Sequence, residues 1–188
     1  MTCDLLPFAS GGYWAMLALL ALGRGMDFLS TWVATPSLVL EGNPLARKMG
    51  WKVGALVNVV LCVVFAFWPL TAIIVVTSGF LVAARNFHSA WLMRSMGEEA
   101  YRAWFLEQIS HTRLPLYLGC LLGETILTGM IGGSLLYFSA TESVPFAIGL
   151  GILAYAAIVL FYTSLSLWRL RRHEVKQQPC IIRDNLNS

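Results

Sequence analysis

Long apolar stretches without charge alternate with short polar segments along most of the chain. The longest of them, residues 53–84, contains no Asp, Glu, Lys or Arg. A membrane-spanning helix needs about 20 mainly apolar residues. The pattern therefore predicts five transmembrane helices, which we place at residues 12–34, 51–67, 70–92, 114–138 and 146–168.

Two features indicate that the second and third spans are separate helices: the length of the combined segment and a proline within it. A single helix over residues 51–92 would reach ~63 Å, about twice the thickness of the hydrocarbon layer. Trp68-Pro69 offers a break, because proline cannot donate the backbone hydrogen bond of a helix interior. We therefore expect a helical hairpin here.

A shorter helix is predicted between the third and fourth spans. Ser95-Met96-Gly97-Glu98 has the spacing of a capping box. It would open a helix over residues 97–109 whose aromatic and aliphatic side chains share one face, as in a helix that lies on the membrane surface. The predicted fold class is all-α, a polytopic membrane helix bundle with five transmembrane helices and one interfacial amphipathic helix. Residues 1–170 would form one transmembrane domain, and residues 171–188 a basic cytosolic tail.

Composition supports the membrane assignment and excludes other classes. Of the 188 residues, 57% are hydrophobic and 12% are charged, whereas soluble domains are about one-quarter charged. Five spans leave no room for a separate soluble catalytic domain or a nucleic-acid-binding domain. The expected surroundings are the lipid bilayer and, beyond it, a membrane protein partner or a second copy of the chain, and we expect no nucleic acid.

The basic residues predict the orientation in the cell membrane. Of the 13 Lys and Arg residues, all except Arg24 and Arg85 fall in segments that five spans place on one side. The positive-inside rule makes this side cytosolic, with the N-terminus outside and the C-terminus inside. These residues are Arg47, Lys48, Lys52, Arg94, Arg102, Arg113, Arg169, Arg171, Arg172, Lys176 and Arg183.

Several polar residues fall inside the spans or, for Glu41, in the loop after the first span, mostly toward the predicted cytosolic side, and each has more than one interpretation. Arg24 and Asp27 are three residues apart, so they either neutralise each other or leave Asp27 as a ligand or base. His88 is either a hydrogen-bonded interfacial residue or a metal ligand. Glu124 has no basic residue within reach on its own helix, so it needs a partner from another span, is protonated, or binds something. Glu41 is either a solvated carboxylate or a ligand.

Together these residues suggest two kinds of chemistry. Asp27, Glu41, His88 and Glu124 offer oxygen and imidazole ligands for a divalent metal, the cofactor that the sequence suggests. Three of these, Asp27, His88 and Glu124, also form a candidate acid–base set. Candidate head-group contacts come from four further residues, Arg85, Lys52, Asn43 and Asn86. No strong catalytic motif accompanies them.

Glycine pairs on the fourth span have the small-x-x-x-small spacing that lets helices approach closely. They are Gly119/Gly123 and Gly129/Gly133. Packing inside the protein is one interpretation, and a homodimer face is the other.

Part of the chain resembles a known family. Asp27-x-x-Ser30-Thr31, followed by Glu41-x-Asn43-Pro44, resembles the Asp-x-x-Ser-Thr helix and Glu-x-Asn-Pro loop of a small uncharacterised family of prokaryotic integral membrane proteins. The similarity covers residues 20–60. It implies a membrane location and a common role for Asp27, Glu41 and Asn43, without an assigned activity.

Three functions are compatible with the sequence. The first is a membrane enzyme or binding protein whose polar site, in the cytosolic leaflet, takes an amphiphilic, lipid-like substrate by its head group. The second is a non-catalytic accessory or assembly subunit of a larger membrane complex. The third, a transporter or channel, ranks last because the outer halves of the spans are almost purely apolar.

Overall fold

The protein is a bundle of helices. A computed structural model describes residues 5–41, 44–141 and 143–184, and the regular secondary structure in these ranges is entirely helical. Five helices are long and apolar enough to cross a membrane. The predicted all-α fold class is confirmed. The helices are α1 (Gly11–Ala34), α2 (Pro44–Phe65), α3 (Pro69–Met96), α4 (Glu98–His111), α5 (Leu114–Phe138) and α6 (Val144–Asp184).

Two of the helix boundaries differ from the prediction because of local backbone geometry. Helix α2 begins at Pro44, well before the predicted residue 51, but Gly50 interrupts it with φ 67° and ψ −177°. A positive φ of this kind suits glycine, which has no Cβ. The uninterrupted part of α2 therefore does start at residue 51. At its other end α2 stops at Phe65, and α3 extends to Met96.

Helix α6 is much longer than the predicted span. Its apolar part is Val144–Trp168, but the helix continues to Asp184. Most of the predicted basic tail, up to residue 184, is therefore helical. At ~1.5 Å per residue the helix is ~60 Å long, about twice the hydrocarbon thickness of a bilayer.

The predicted capping box is wrong. Ser95 still belongs to α3, and its hydroxyl donates to the Leu92 carbonyl oxygen at 3.1 Å. The residue before α4 is Gly97, with φ 82°. A serine in helical conformation cannot cap the next helix, so Glu98 is free to bond elsewhere.

Helix α3 is the central element of the bundle. It packs against α1 on one side and α6 on another, α5 packs on α6, and α2 packs mainly on α1. Successive spans run in opposite directions. At one end, the Leu6 N–H donates to the Phe67 carbonyl oxygen at 2.9 Å, which joins the start of α1 to the α2–α3 turn. The opposite end, where α1 and α3 finish and α4 lies, is called the α4 end below.

Glycines allow the closest helix crossings. A Cβ on Gly132 of α5 would lie 2.9 Å from the carbonyl oxygen of Gly149 on α6, and a Cβ on Gly79 of α3 would lie 3.2 Å from that of Gly23 on α1. Neither contact leaves room for a side chain, so backbone packs against backbone at both crossings.

Candidate functional site

Arg24 links α1 to α2 in the half of the membrane nearer the α4 end. Its Nη1 forms an ion pair with Asp27 Oδ2 at 2.8 Å, and its Nε donates to Asn58 Oδ1 at 2.7 Å. The side chain of Asp27 is 17% exposed. The pairing of Arg24 with Asp27, one of the two interpretations of these residues, is confirmed. Asn58, which completes the contact, is the one strongly polar residue between positions 53 and 65 of the second span.

Asn86 joins α3 to α1 by a second set of hydrogen bonds. The hydroxyls of Ser30 and Thr31 both donate to the Asp27 carbonyl oxygen, at 2.8 and 3.0 Å. The same two hydroxyl oxygens accept from Asn86 Nδ2, each at 3.2 Å. The amide of Asn86, a predicted head-group contact, is thus used between helices.

Arg85 and Glu124 form the third contact, and it differs from the others in exposure. Arg85 Nη1 pairs with Glu124 Oε1, which joins α3 to α5. Of the three possibilities for Glu124, the structure shows the first, a partner from another span. The side chains remain 37% and 47% exposed on the outside of the bundle. Along α5, Glu124 lies ~15 Å from Leu114 at the α4 end, well inside the span.

Two further polar side chains lie near this ion pair. His88, one turn from Arg85 toward the α4 end, is exposed. Tyr117, two turns before Glu124 on α5, is half-buried and within electrostatic range of both charges. Polar groups thus extend from near the end of the span to the ion pair. Tyr117 was not predicted, since a tyrosine near a span end is also typical of the aromatic belt.

Glu98 fastens the start of α4 to the segment after α1. Its carboxylate accepts from the Thr35 hydroxyl at 2.7 Å, from the Ser37 hydroxyl at 2.5 Å and from the Ser37 N–H at 3.0 Å. Partial burial raises the pKa of Glu98, but these hydrogen bonds outweigh it and hold the pKa below its ordinary value. No local pattern in the sequence indicates this contact, because its partners are more than 60 residues apart along the chain.

The predicted metal ligands do not come together. Within the described ranges, no group of three or more His, Cys, Asp or Glu side chains is placed to hold a metal ion. Asp27 lies against Arg24, and Glu124 against Arg85. The four-residue ligand set is therefore not assembled. Acid–base roles for Asp27, His88 and Glu124 stay a prediction.

The remaining candidates lie at the membrane surface or outside the described chain. Lys52 is exposed at the start of the apolar part of α2, and Asn43 falls outside the described residues. The bundle has a depression of ~500 Å³ at the junction of α3 and α4 and another of ~200 Å³ between α1, α3 and α6. None of the predicted site residues lines either of them.

Comparison with known proteins gives no counterpart for this chain. No family model, curated protein or solved structure matches it. The resemblance of residues 20–60 to an uncharacterised membrane family stays a prediction.

Proposed function

We propose that this protein is a non-catalytic membrane subunit that assembles laterally with another protein chain inside the bilayer. The contact surface is the flank of α3 and α5 that carries Arg85 and Glu124, called the ion-pair flank. One observation carries the proposal. The side chains of Arg85 and Glu124 are each more than one-third exposed, although both residues lie inside spans.

The energetics of the bilayer argue for a cover over this ion pair. Charged groups in a span almost always face the protein interior or a water-filled cavity, because contact with lipid chains is costly. Among the residues that the structure describes, the side chains of Arg85 and Glu124 hydrogen-bond to each other and to no other protein group. A partner chain that covers the flank removes this cost.

Depth favours a protein over a phospholipid head group as the cover. Arg85 lies ~16 Å from the end of α3 at Met96, and Glu124 a similar distance from the start of α5. Phospholipid head groups stay at the surface of the ~30 Å hydrocarbon layer. A helix of another chain, in contrast, presents groups at every depth.

Other intramembrane polar residues are already used inside the protein, which also favours a subunit over an enzyme. Arg24, Asp27 and Asn58 satisfy each other, and Asn86 bonds to two hydroxyls of α1. These contacts hold α1, α2 and α3 together. What they leave for an external ligand is the ion-pair flank.

A second candidate function is binding of an amphiphile by the same flank. The exposure of His88 and the position of Tyr117 favour it, because they continue the polar groups from Arg85 toward the membrane surface. An amphiphile whose head group enters the bilayer would then meet Arg85 and Glu124 at the deep end. This is the head-group site that the sequence suggested, without a metal.

For the location we propose the cell membrane, with the α4 end in the cytosol. The described basic residues outside the spans lie at this end of the bundle, at the starts of α2 and α5 and around α4. The positive-inside rule supports this orientation, with the N-terminus outside.

Mass spectrometry of the protein released from membrane nanodiscs tests both candidates. The informative variant is the double substitution Arg85→Met/Glu124→Met, which removes the ion pair without leaving one charge alone in the span. We expect the wild type to carry a protein partner, and the double variant to be released without it. The matched control is Lys48→Met, which removes an exposed charge at the α4 end and should keep the partner.

The same spectra contain the contradicting result. A wild-type protein without a protein partner but with a bound amphiphile, lost in the double variant, would replace the subunit proposal by the second candidate. A wild-type protein with neither, indistinguishable from the double variant, would refute both.

A further inference from the structure

One stripe of α5 is largely exposed on the outside of the bundle. Leu116 and Leu127 on this stripe are 63% and 65% exposed, and Cys120 is exposed between them. Gly123 and Glu124 complete it, since residues 116, 120, 123, 124 and 127 share one face of a helix. The stripe therefore contains the α5 half of the ion-pair flank.

The glycines on this side of α5 are open. A Cβ built on Gly119 or Gly123 meets nothing within 4 Å, whereas one on Gly132 of the same helix meets α6. Packing inside the protein, one of the two interpretations of the Gly119/Gly123 pair, is therefore wrong for the described structure. Bare backbone at Gly123 forms a shallow notch next to Glu124.

Charge and hydrogen bonding make this surface suitable for self-association. Arg85 and Glu124 cancel, so two identical flanks meet without net repulsion. The guanidinium of Arg85 keeps N–H donors beyond the one that pairs with Glu124, and a helix carbonyl oxygen keeps a second lone pair. The backbone at a glycine notch offers such oxygens without a side chain in front of them.

We infer that the partner is a second copy of this chain, packed α5 against α5 about a twofold axis along the membrane normal. This inference rests on the proposed function and names its partner. Residues 123 and 124 are ~100° apart around a helix and nearly level along it. A twofold axis between them places the Glu124 side of each copy on the Gly123 notch of the other, an isologous contact.

Disulfide cross-linking at Cys120, which lies on the stripe, tests this arrangement. The experiment uses the full chain in native membranes, with Cys3 and Cys180 replaced by Ser so that Cys120 is the exposed thiol. Under mild oxidation we expect a disulfide-linked dimer. The control moves the thiol to α2, with Cys120→Ser and Val60→Cys, since Val60 is 51% exposed on the other side of α1, and should give no dimer.

A pair of matched glycine variants tests the notch. Gly123→Leu fills it and should lower the cross-linked fraction about tenfold, a size expected for an interhelical contact in a membrane. Gly133→Leu is the control: its Cβ position is equally open, but it lies off the stripe, so cross-linking should stay as in the wild type.

The outcomes separate the two proposals. If Cys120 does not cross-link, or if both glycine variants behave alike, the second-copy inference is overturned. In that case, if the wild type carries a protein partner that the double variant Arg85→Met/Glu124→Met has lost, the proposed subunit function is kept and the partner is a different protein. If no partner depends on the ion pair, both proposals fail.

Discussion

Arg24 forms two polar contacts inside the bundle, one with Asp27 on its own helix and one with Asn58 on α2. Replacing it by Leu leaves the Asp27 carboxylate without a counter-charge inside the membrane. We expect Arg24→Leu to lower the free energy of unfolding by about 3 kcal/mol. The double variant Arg24→Leu/Asp27→Leu should recover most of the loss, since no charge is then left alone.

Reversible unfolding in mixed micelles measures both free energies. Equal destabilisation by the single and the double variant would mean that the ion pair itself, and not the stranded carboxylate, determines stability at this site. The matched single variant Asn58→Leu removes the link to α2 alone and should cost less than Arg24→Leu.

Polar contacts within one helix could be predicted from the sequence, whereas polar contacts between helices could not. The Arg24–Asp27 pair was predictable because its members are one helical turn apart. The sequence indicated that Glu124 needs a partner, but not that the partner is Arg85, which is 39 residues away. Pairing across helices depends on their arrangement, which no local pattern encodes. The metal-ligand hypothesis treated residues at similar depth as neighbours, and among the described residues no three of them come together to hold a metal ion.

The carboxylate of Glu98 joins the start of helix α4 to the segment after α1, and this makes the docking of that end sensitive to pH. Glu98 has its pKa lowered from an ordinary value of 4.5 by hydrogen bonds from Thr35 and Ser37. A depressed pKa stabilises the docked helix fully above pH 4.5, and the stabilisation is lost as the pH falls through the folded pKa. We expect α4 to become mobile below that value, as measured by the EPR spectrum of a spin label on Ala103→Cys.

Glu98→Gln supplies the comparison for this titration. It keeps the shape of the side chain but cannot ionise, so the label should show similar mobility at acidic and neutral pH. Retention of the wild-type transition in Glu98→Gln would assign it to another group on α4.

The boundaries of the helices show which local rules hold in this fold. The apolar stretches located all five spans, because length and hydropathy are properties of each segment alone. The capping box failed because α3 continues through Ser95 to Met96, four residues beyond its predicted end. The extension of α6 to Asp184 was also missed, since polar residues after an apolar run are equally typical of a tail or of a helix that leaves the membrane.

At the scale of the whole molecule, polar contacts and orientation are coupled. Three sets of polar contacts lie toward the α4 end: the contact of Arg24 with Asp27 and Asn58, the ion-pair flank, and the hydrogen bonds that Glu98 accepts. The opposite half of the bundle is joined mainly by apolar packing around Tyr13 and Leu20, with hydrogen bonds to the backbone oxygens of Val63 and Phe67. The intramembrane polar contacts are thus concentrated near one end of the bundle. The basic residues at that end determine on which side of the membrane it lies.

Thiol labelling in intact cells measures this orientation. In a chain freed of its native cysteines, we expect Thr141→Cys, in the α5–α6 turn, to react with an impermeant maleimide from outside. Lys48→Cys, at the α4 end, should react only after the membrane is opened, because the positive-inside rule keeps its neighbours in the cytosol. Both positions are exposed in the structure, so a difference in labelling reports sidedness and not burial. The reverse pattern would place the basic residues outside. Labelling of both positions in intact cells would mean that copies insert in two orientations, and a parallel α5–α5 pair would then be restricted to copies that share one of them.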